Sequence, residues 1–332
     1  MVSSIALAAV RMEDRWYKST VNNDSRVVII TVNIRNAGCT LQFLESASRL
    51  EGFALCHVLI VDNNSGADDV SRIRAAICRF SNVELVEAQQ NLGYFGAANL
   101  GLQSFLVNHG LPDWVIISNN DIVFEDTRFL SRLFQKDPLA VGMLAPAIIS
   151  ALTQHDANPS IRHRPSQLRM LRYRLWLSNY YAMRFKQWLS PYVRRVRYRF
   201  YQRTAPPAGA VQRAIYAPHG AFLIFSRQFF EAGGFIDTDF FLYAEEFIVA
   251  EMCRRLDLPI VHDPELRVWH AEGQTLGRKL SRSSYLHQRN GFRYAWYRYQ
   301  KSYPELGPPR VDIAGEGAAA GPRSLTAEGD VR

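Results

Sequence analysis

VIISNNDIVFED, Val115 to Asp126, runs from an apolar stretch into a polar cluster and then through a second short apolar step that ends in two carboxylates. Strands buried on both faces read as short continuous apolar runs, so Asn119, Asn120 and Asp121 are expected where such a strand leaves its sheet. In open α/β sheets ligands bind outside the carboxyl ends of the strands. An aspartate flanked by amide oxygens there suits a hard divalent cation that phosphate oxygens also hold. Taken by itself, the segment reads better as a strand closed by an Asx-rich turn.

Upstream, the same pattern recurs. VVIITVN (Val27 to Asn33) ends in a polar residue and leads through a loop into TLQFLESASRL, which has helical spacing. HVLIVD (His57 to Asp62) runs into NNSGADD and a helix through Arg79, with Asp68 or Asp69 placed to cap its start. VELVEA (Val83 to Ala88) leads to QQNLGYFGAAN and a helix to about Asn108, before the strand at Trp114 to Ser118. Strands alternating with helices predict βαβ units, and so an α/β protein with a parallel sheet. Asn33, Asp62, Asn64, Asn91 and Asp121 each fall just past the end of a successive strand, so the sheet should gather them at one edge. Polar βα loops and helix caps account for two or three of them without any ligand. They account less well for NLGYFGAANLG, whose three glycines suit a backbone that approaches something closely.

Downstream, the alternation stops after VGMLAPAI, Val141 to Ile148. No Asp or Glu occurs from Ala157 to Phe230, and arginines interleave with aromatics from Pro165 to Arg203, reading as helices broken at Pro191. Such a tract can lie in a membrane interface, or it can be a solvated insertion that covers apolar surface with arginine stems. AIYAPHGAFLIFS then gives two short strand-like runs around Gly220. Phe240 to Tyr243 deliver Glu245 and Glu246 to the start of a helix whose apolar face carries Ile248, Val249, Met252 and Leu256. Acids in a first turn favour the helix dipole, and neighbouring carboxylates behind aromatics also suit a general base. LRVWH reads as a strand ending in His270.

The chain of 332 residues, 48% hydrophobic and 21% charged, can bury a sizeable core. A net charge of +8 points to an anionic partner, and no nucleic-acid motif accompanies it. The four cysteines show no paired or zinc-like spacing. No secretory signal is expected from SSIALAAV, which lacks a preceding basic region, so a cytoplasmic protein is expected. The expected organisation is a flexible arm at 1–25, one domain at 26–303 and a disordered tail at 304–332. Within the domain, 160–205 would be the basic helical insertion, between a first half at 26–150 and a second at 210–303.

The series VVIITVN, VDNNS, NLGYFGAANLG, SNNDIVF, GAFLIFSRQFFEAGGFID, FFLYAEE and HAEGQT resembles the family 2 glycosyltransferases, especially bacterial rhamnosyltransferase-like members, over about Val27 to Tyr299. The resemblance implies the GT-A fold, doubly wound and mostly parallel, whose first half binds the nucleotide and whose second half binds the acceptor. It also implies an inverting transfer, metal-dependent, from a nucleoside-diphosphate sugar to a glycan or lipid-linked glycan hydroxyl in cell-surface glycan synthesis. Residue by residue, it implies Asn33, Asp62 and Asn64 around the nucleotide, and Asn91 and Gly93 on the donor. Asn119 and Asp121 then stand in the place of the Asp-x-Asp motif. Asp121 would hold Mn2+ or Mg2+, with His270 as a second ligand. Glu246 takes the place of the catalytic base, Glu245 that of its neighbour, and Gly220 and Tyr243 fall on the acceptor side. Asn119 for an aspartate and Glu246 for an aspartate are departures from the family pattern. A catalytically weak binding protein on the same fold, held on membrane or polyanion by the basic tract, is the competing expectation. The inner face of the plasma membrane is the expected place for either.

Overall fold

In the computed structural model β1 (Val27–Asn33), α1 (Ala37–Ala47), β2 (Cys56–Asp62), α2 (Ala67–Ile77), β3 (Val83–Glu87), α3 (Gly93–His109) and β4 (Trp114–Asn119) alternate as the sequence pattern requires. Residues 26–189, 212–271 and 281–300 are described. The arm expected at 1–25, the tail at 304–332 and the part of the basic tract from 190 to 211 lie outside the described residues.

β1 lies between β2 and β4, and β3 adds beyond β2, every pair parallel. Asn33 pairs in register with Asp62, Asp62 with Glu87 and Val32 with Asn119, so the polar strand ends stand level along one edge. Beyond β4 come β5 (Ile122–Val123), α4 (Phe129–Leu133), β6 (Met143–Ser150), α5 (Gln167–Leu177), β7 (Arg213–Ile215) and β8 (Phe222–Ser226). After them follow α6 (Arg227–Glu231), α7 (Glu245–Arg255), β9 (Ile260–His270) and α8 (Arg282–Gln300). β8 enters antiparallel between β4 and β6, and β9 runs parallel to β6. The sheet order is β3-β2-β1-β4-β8-β6-β9-β5, with β7 on β9. The register of β6 shifts after Pro146, a residue with no N–H to give the ladder.

Both faces of the sheet are covered. Val28, Ile30, Leu59, Val61, Val115, Ile117, Leu223 and Phe225 pack under α3, α6 and α7. Their neighbours Val27, Ile29, Val58, Ile60, Trp114, Ile116, Phe222 and Ile224 pack under α1, α2 and α4. This period-2 split explains why the strands read as unbroken apolar runs. Each fully buried aliphatic side chain stabilises by roughly 1.5–3 kcal/mol.

Two expectations change in detail. Neither Asp68 nor Asp69 caps α2; Gly66 holds the N-cap at φ 125, and the Asp69 carboxylate instead accepts from the Ala37 N–H at the start of α1. The acid is used across the loop to cap the neighbouring helix. The described part of the basic tract is helical, as expected, over α5 and residues 180–189. It is not free of the body. Met170, Leu177 and Met183 pack on Tyr285, Phe292 and Trp296 of α8, and Arg164 grips buried Glu251 of α7 through two hydrogen bonds of 2.9 and 3.2 Å.

Candidate active site

The floor of the sheet edge is a hydrogen-bonded knot. Asn33 is fully buried; its amide donates to Asp62 Oδ1 (2.8 Å) and Ser65 Oγ (3.0 Å), and its carbonyl oxygen accepts from Thr40 (2.8 Å). Asp62 Oδ2 accepts from the Ser65 N–H at 3.0 Å, which bends the chain so that Asn64 sits at φ 62. These contacts give Asn33 and Asp62 a structural task, shaping the loop. A cleft of about 650 Å3 opens beside it, lined by Asp62, Asn64, Gly66, Arg74, Glu87 and Gln89. Its mixed acidic, amide and guanidinium lining can take a polar heterocycle and its sugar hydroxyls.

Asn63, which the sequence reading passed over, ties this floor to the glycine loop. Its amide donates to Asn91 Oδ1 (3.0 Å) and to the Gly93 carbonyl (3.1 Å), and its oxygen accepts from Leu92 N–H (2.8 Å). Asn91 also accepts from the Gly93 N–H at 3.0 Å. Gly93 has φ 76, and a Cβ there would stand 2.0 Å from the Phe241 carbonyl oxygen. Only glycine lets the two loops touch.

At the end of β4, Asn120 points inward to Thr40 Oγ1 (3.0 Å), while Asp121 faces His270. The pairing of Ile122 with His270 across β5 and β9, and an Ala271 N–H to Asp121 carbonyl bond of 3.0 Å, hold the two in register. Asp121 Oδ1 lies 3.1 Å from His270 Nε2, both side chains are over 90% buried, and yet Oδ1 makes no hydrogen bond. A buried carboxylate oxygen without a donor is costly. Two lone pairs that converge at this spacing without hydrogen-bond alignment fit the residues to a shared divalent cation. Asn119, its N–H given to the Ala221 carbonyl, is half-exposed beside them.

α7 brings its two carboxylates to the same edge. Tyr243 (φ 65) and Ala244 (φ 117) both take left-handed backbone, a strained entry that turns Glu245 inward. Glu245 Oε1 accepts from the Tyr243 N–H at 3.0 Å. Burial, and then the neighbouring Glu246 charge, push the Glu245 carboxyl up to about 8. Glu246 is half-exposed; its Oε1 accepts from the Gly220 N–H at 3.2 Å, and a side chain at Gly220 would crowd that oxygen. His219, also unforeseen, sits edge-on to the His270 ring at 5.9 Å.

Tyr94 shows that these groups converge. Its buried hydroxyl has no hydrogen-bond partner, and its proton is held more tightly than usual by burial and then by Glu245, Asp121 and Glu246. Tyr173 of α5 is shifted the same way, by burial and then by the Glu246 charge. Among the sequence-predicted residues, Asp121, His270, Glu245, Glu246, Gly220 and Tyr243 therefore share one edge with Asn91 and Gly93. Asn64 lines the cleft at the other end of that edge.

Residues 26–187 match the model of the family described as Glycosyl transferase family 2. That match takes in the parallel half of the sheet and the start of the helical insertion. The fold is GT-A, with its mixed α/β architecture and the parallel β3-β2-β1-β4 half extended by an antiparallel strand. Among solved structures, the chain is similar in fold to GalNAc-T7 with UDP, GalNAc and Mn2+, at 13% identity and a TM-score of 0.51 over 78% of this chain and 46% of that one. It also matches the mannosyltransferase PcManGT from Pyrobaculum calidifontis in complex with GDP-Man and Mn2+, at 16% identity and a TM-score of 0.45. That match covers 81% of this chain and 65% of PcManGT, so the chain spans less than two thirds of either structure. No curated protein sequence matches the chain.

Proposed function

We propose that the chain is an inverting glycosyltransferase that moves a sugar from a nucleoside diphosphate to a hydroxyl of a glycan or lipid-linked glycan. The observation that carries this reading is the buried Asp121 oxygen that faces His270 without a hydrogen bond, on the same edge as Glu246. The nucleotide would lie in the cleft at Asp62 and Asn64, with its diphosphate toward Asp121. A divalent cation, Mn2+ or Mg2+, held by Asp121 and His270 would neutralise the charge that grows on the departing diphosphate. Glu246, with one oxygen anchored by Gly220, would take the proton of the acceptor hydroxyl as it attacks the anomeric carbon. One base and a single displacement invert that carbon. Glu245, holding a proton at neutral pH, would keep the second carboxyl of the pair uncharged and leave Glu246 to act.

Rhamnose is the first sugar to test, and assembly of a cell-envelope polysaccharide is the setting the reading favours. The protein would work in the cytoplasm at the inner membrane face. Leu168, Leu171, Leu175, Tyr181, Phe185 and Trp188 are all exposed on the helical insertion, a face that anionic lipid could take. Asn119 in the place of an acid supports a second reading, a GT-A binding protein with weak or no turnover.

Donor hydrolysis and transfer across a panel of nucleotide sugars, in Mn2+, Mg2+ or EDTA, separate the two. Activity that requires the cation and disappears in Asp121→Asn supports the transferase. Calorimetry of the bare nucleoside diphosphate should show cation-dependent affinity in the wild type and none in Asp121→Asn. Equal affinity in EDTA and Mn2+ would overturn the cation assignment, and binding without turnover would favour the second reading.

A further inference from the structure

A second cluster of ligand-type side chains lies at the opposite edge of the sheet. His57 is the second residue of β2, five residues before Asp62, so it stands about 16 Å from the carboxyl-end edge at the usual strand rise. Glu84 lies beside it on β3, and His109 closes α3 above them. One ligand atom from each of the three falls within 4.8 Å of the others. Among the described residues this is the one such cluster of three.

The details go beyond proximity. His57 is 5% exposed, and its Nε2 stands 3.1 Å from Glu84 Oε1 without forming a hydrogen bond. A buried imidazole nitrogen thus faces a carboxylate in an alignment that does not satisfy it. His109 Nδ1 lies 3.1 Å from the Phe105 carbonyl oxygen, which can only accept, so Nδ1 carries the proton and Nε2 the lone pair. The His109 ring is also stacked on Phe105 at 4.5 Å, 12° from parallel, and its centroid is 4.9 Å from that of His57. A histidine whose far nitrogen is fixed on a backbone carbonyl is oriented as metal-bound histidines are.

We propose that His57, His109 and Glu84 form a site for a divalent transition-metal ion, best suited to Zn2+, that clips β2, β3 and the end of α3 together. Two neutral imidazoles and one carboxylate are a recurring three-residue set for Zn2+, with water completing the tetrahedron. Glu84 is half-exposed, so the fourth position opens to solvent. The site is separate from the diphosphate edge and does not depend on the transferase reading.

The test uses the full chain without an affinity tag, titrated with Zn2+ by calorimetry and with Co2+ by absorption. In the Asp121→Asn background, which removes the cation position at the other edge, one Zn2+ should still bind, with tetrahedral Co2+ bands. His109→Gln and Glu84→Gln should each weaken binding at least about tenfold and lose those bands. Zn2+ should raise the thermal midpoint of the wild type more than that of either variant. Both variants change a half-exposed group, and circular dichroism checks their fold in EDTA. Unchanged Zn2+ affinity in His109→Gln and Glu84→Gln, or no Zn2+ bound by the wild type, would overturn the site and leave a His57–Glu84 contact. A Zn2+ lost only in Asp121→Asn would overturn it too, by locating the metal at the other edge.

Discussion

Glu245 and Glu246 differ by one position and by environment. Glu245 is buried against its own helix start and holds its proton up to about pH 8, whereas Glu246 is half-exposed and fixed by Gly220. Glu246→Gln keeps shape but cannot accept a proton, so turnover should fall roughly 10²- to 10⁴-fold with donor affinity little changed. Glu245→Gln should reduce turnover less, because a glutamine resembles the protonated acid. Steady-state kinetics on both variants decide this; the reverse order of effects would move the base to Glu245. The same burial has a stability consequence. The folded protein retains a proton that the unfolded chain releases above its ordinary carboxyl range of about 4.5, so stability is lost as pH rises from there to about 8. Thermal melts should show the wild type losing midpoint across that window and Glu245→Gln losing less. Sequence alone presented both carboxylates. It could not rank their burial, which comes from two left-handed residues before the helix. Asn63, Tyr94 and His219 were illegible for a related reason, since nothing local distinguishes them from other loop and core residues.

At the scale of elements, the strands of the first half were legible because burial on both faces writes itself as uninterrupted apolar runs ending in polar residues. The order of the later strands was not. β8 lies between β4 and β6, an antiparallel insertion fixed by contacts of Trp114 with Ser226 and Met143 with Phe225, far apart in the chain. The two residues of β5 are likewise a strand only because β9 lies beside them. The glycine loop could be read as a close approach, but its partner could not. That partner is the loop before α7, since Gly93 meets the Phe241 carbonyl and Gly291 of α8 has no room for a Cβ against the Tyr243 carbonyl. The glycine loop and α8 are thus both packed backbone to backbone against the loop before α7. Gly93→Ala should force the two loops apart. Left-handed backbone alone costs about 1–2 kcal/mol for alanine, and the clash adds to it. Denaturant melts should show at least that loss, together with weaker nucleoside-diphosphate binding. An alanine variant with unchanged stability would show that the two loops can separate freely.

At the scale of the whole molecule, basic and exposed apolar residues coincide, among the described residues, on the helical insertion. The net charge of +8 is concentrated where the sequence carries no acid, and the exposed Leu168, Leu171 and Leu175 recur on the helical insertion at the spacing of one helix face. Part of the tract is spent on the fold: Arg164 holds Glu251, and Met170 and Leu177 face α8 on the other side of α5. What is left outward is an apolar stripe on a helix that also exposes Arg169 and Arg172, the composition of a surface helix on anionic lipid. Such a helix would hold α7 and its carboxylates near a lipid-linked acceptor, because the insertion packs on α8 and Arg164 ties it to Glu251 of α7. The wild type should sediment with anionic vesicles and not with neutral ones, and salt should release it, since each basic residue at the surface contributes roughly 1 kcal/mol. Replacing Leu168, Leu171 and Leu175 together by serine removes roughly 1 kcal/mol or more apiece of burial, so vesicle affinity should fall on the order of a hundredfold. Transfer to a soluble acceptor analogue should persist in that variant. Equal sedimentation of wild type and triple variant, or binding indifferent to lipid charge, would return the insertion to the role of a solvated cover over α8.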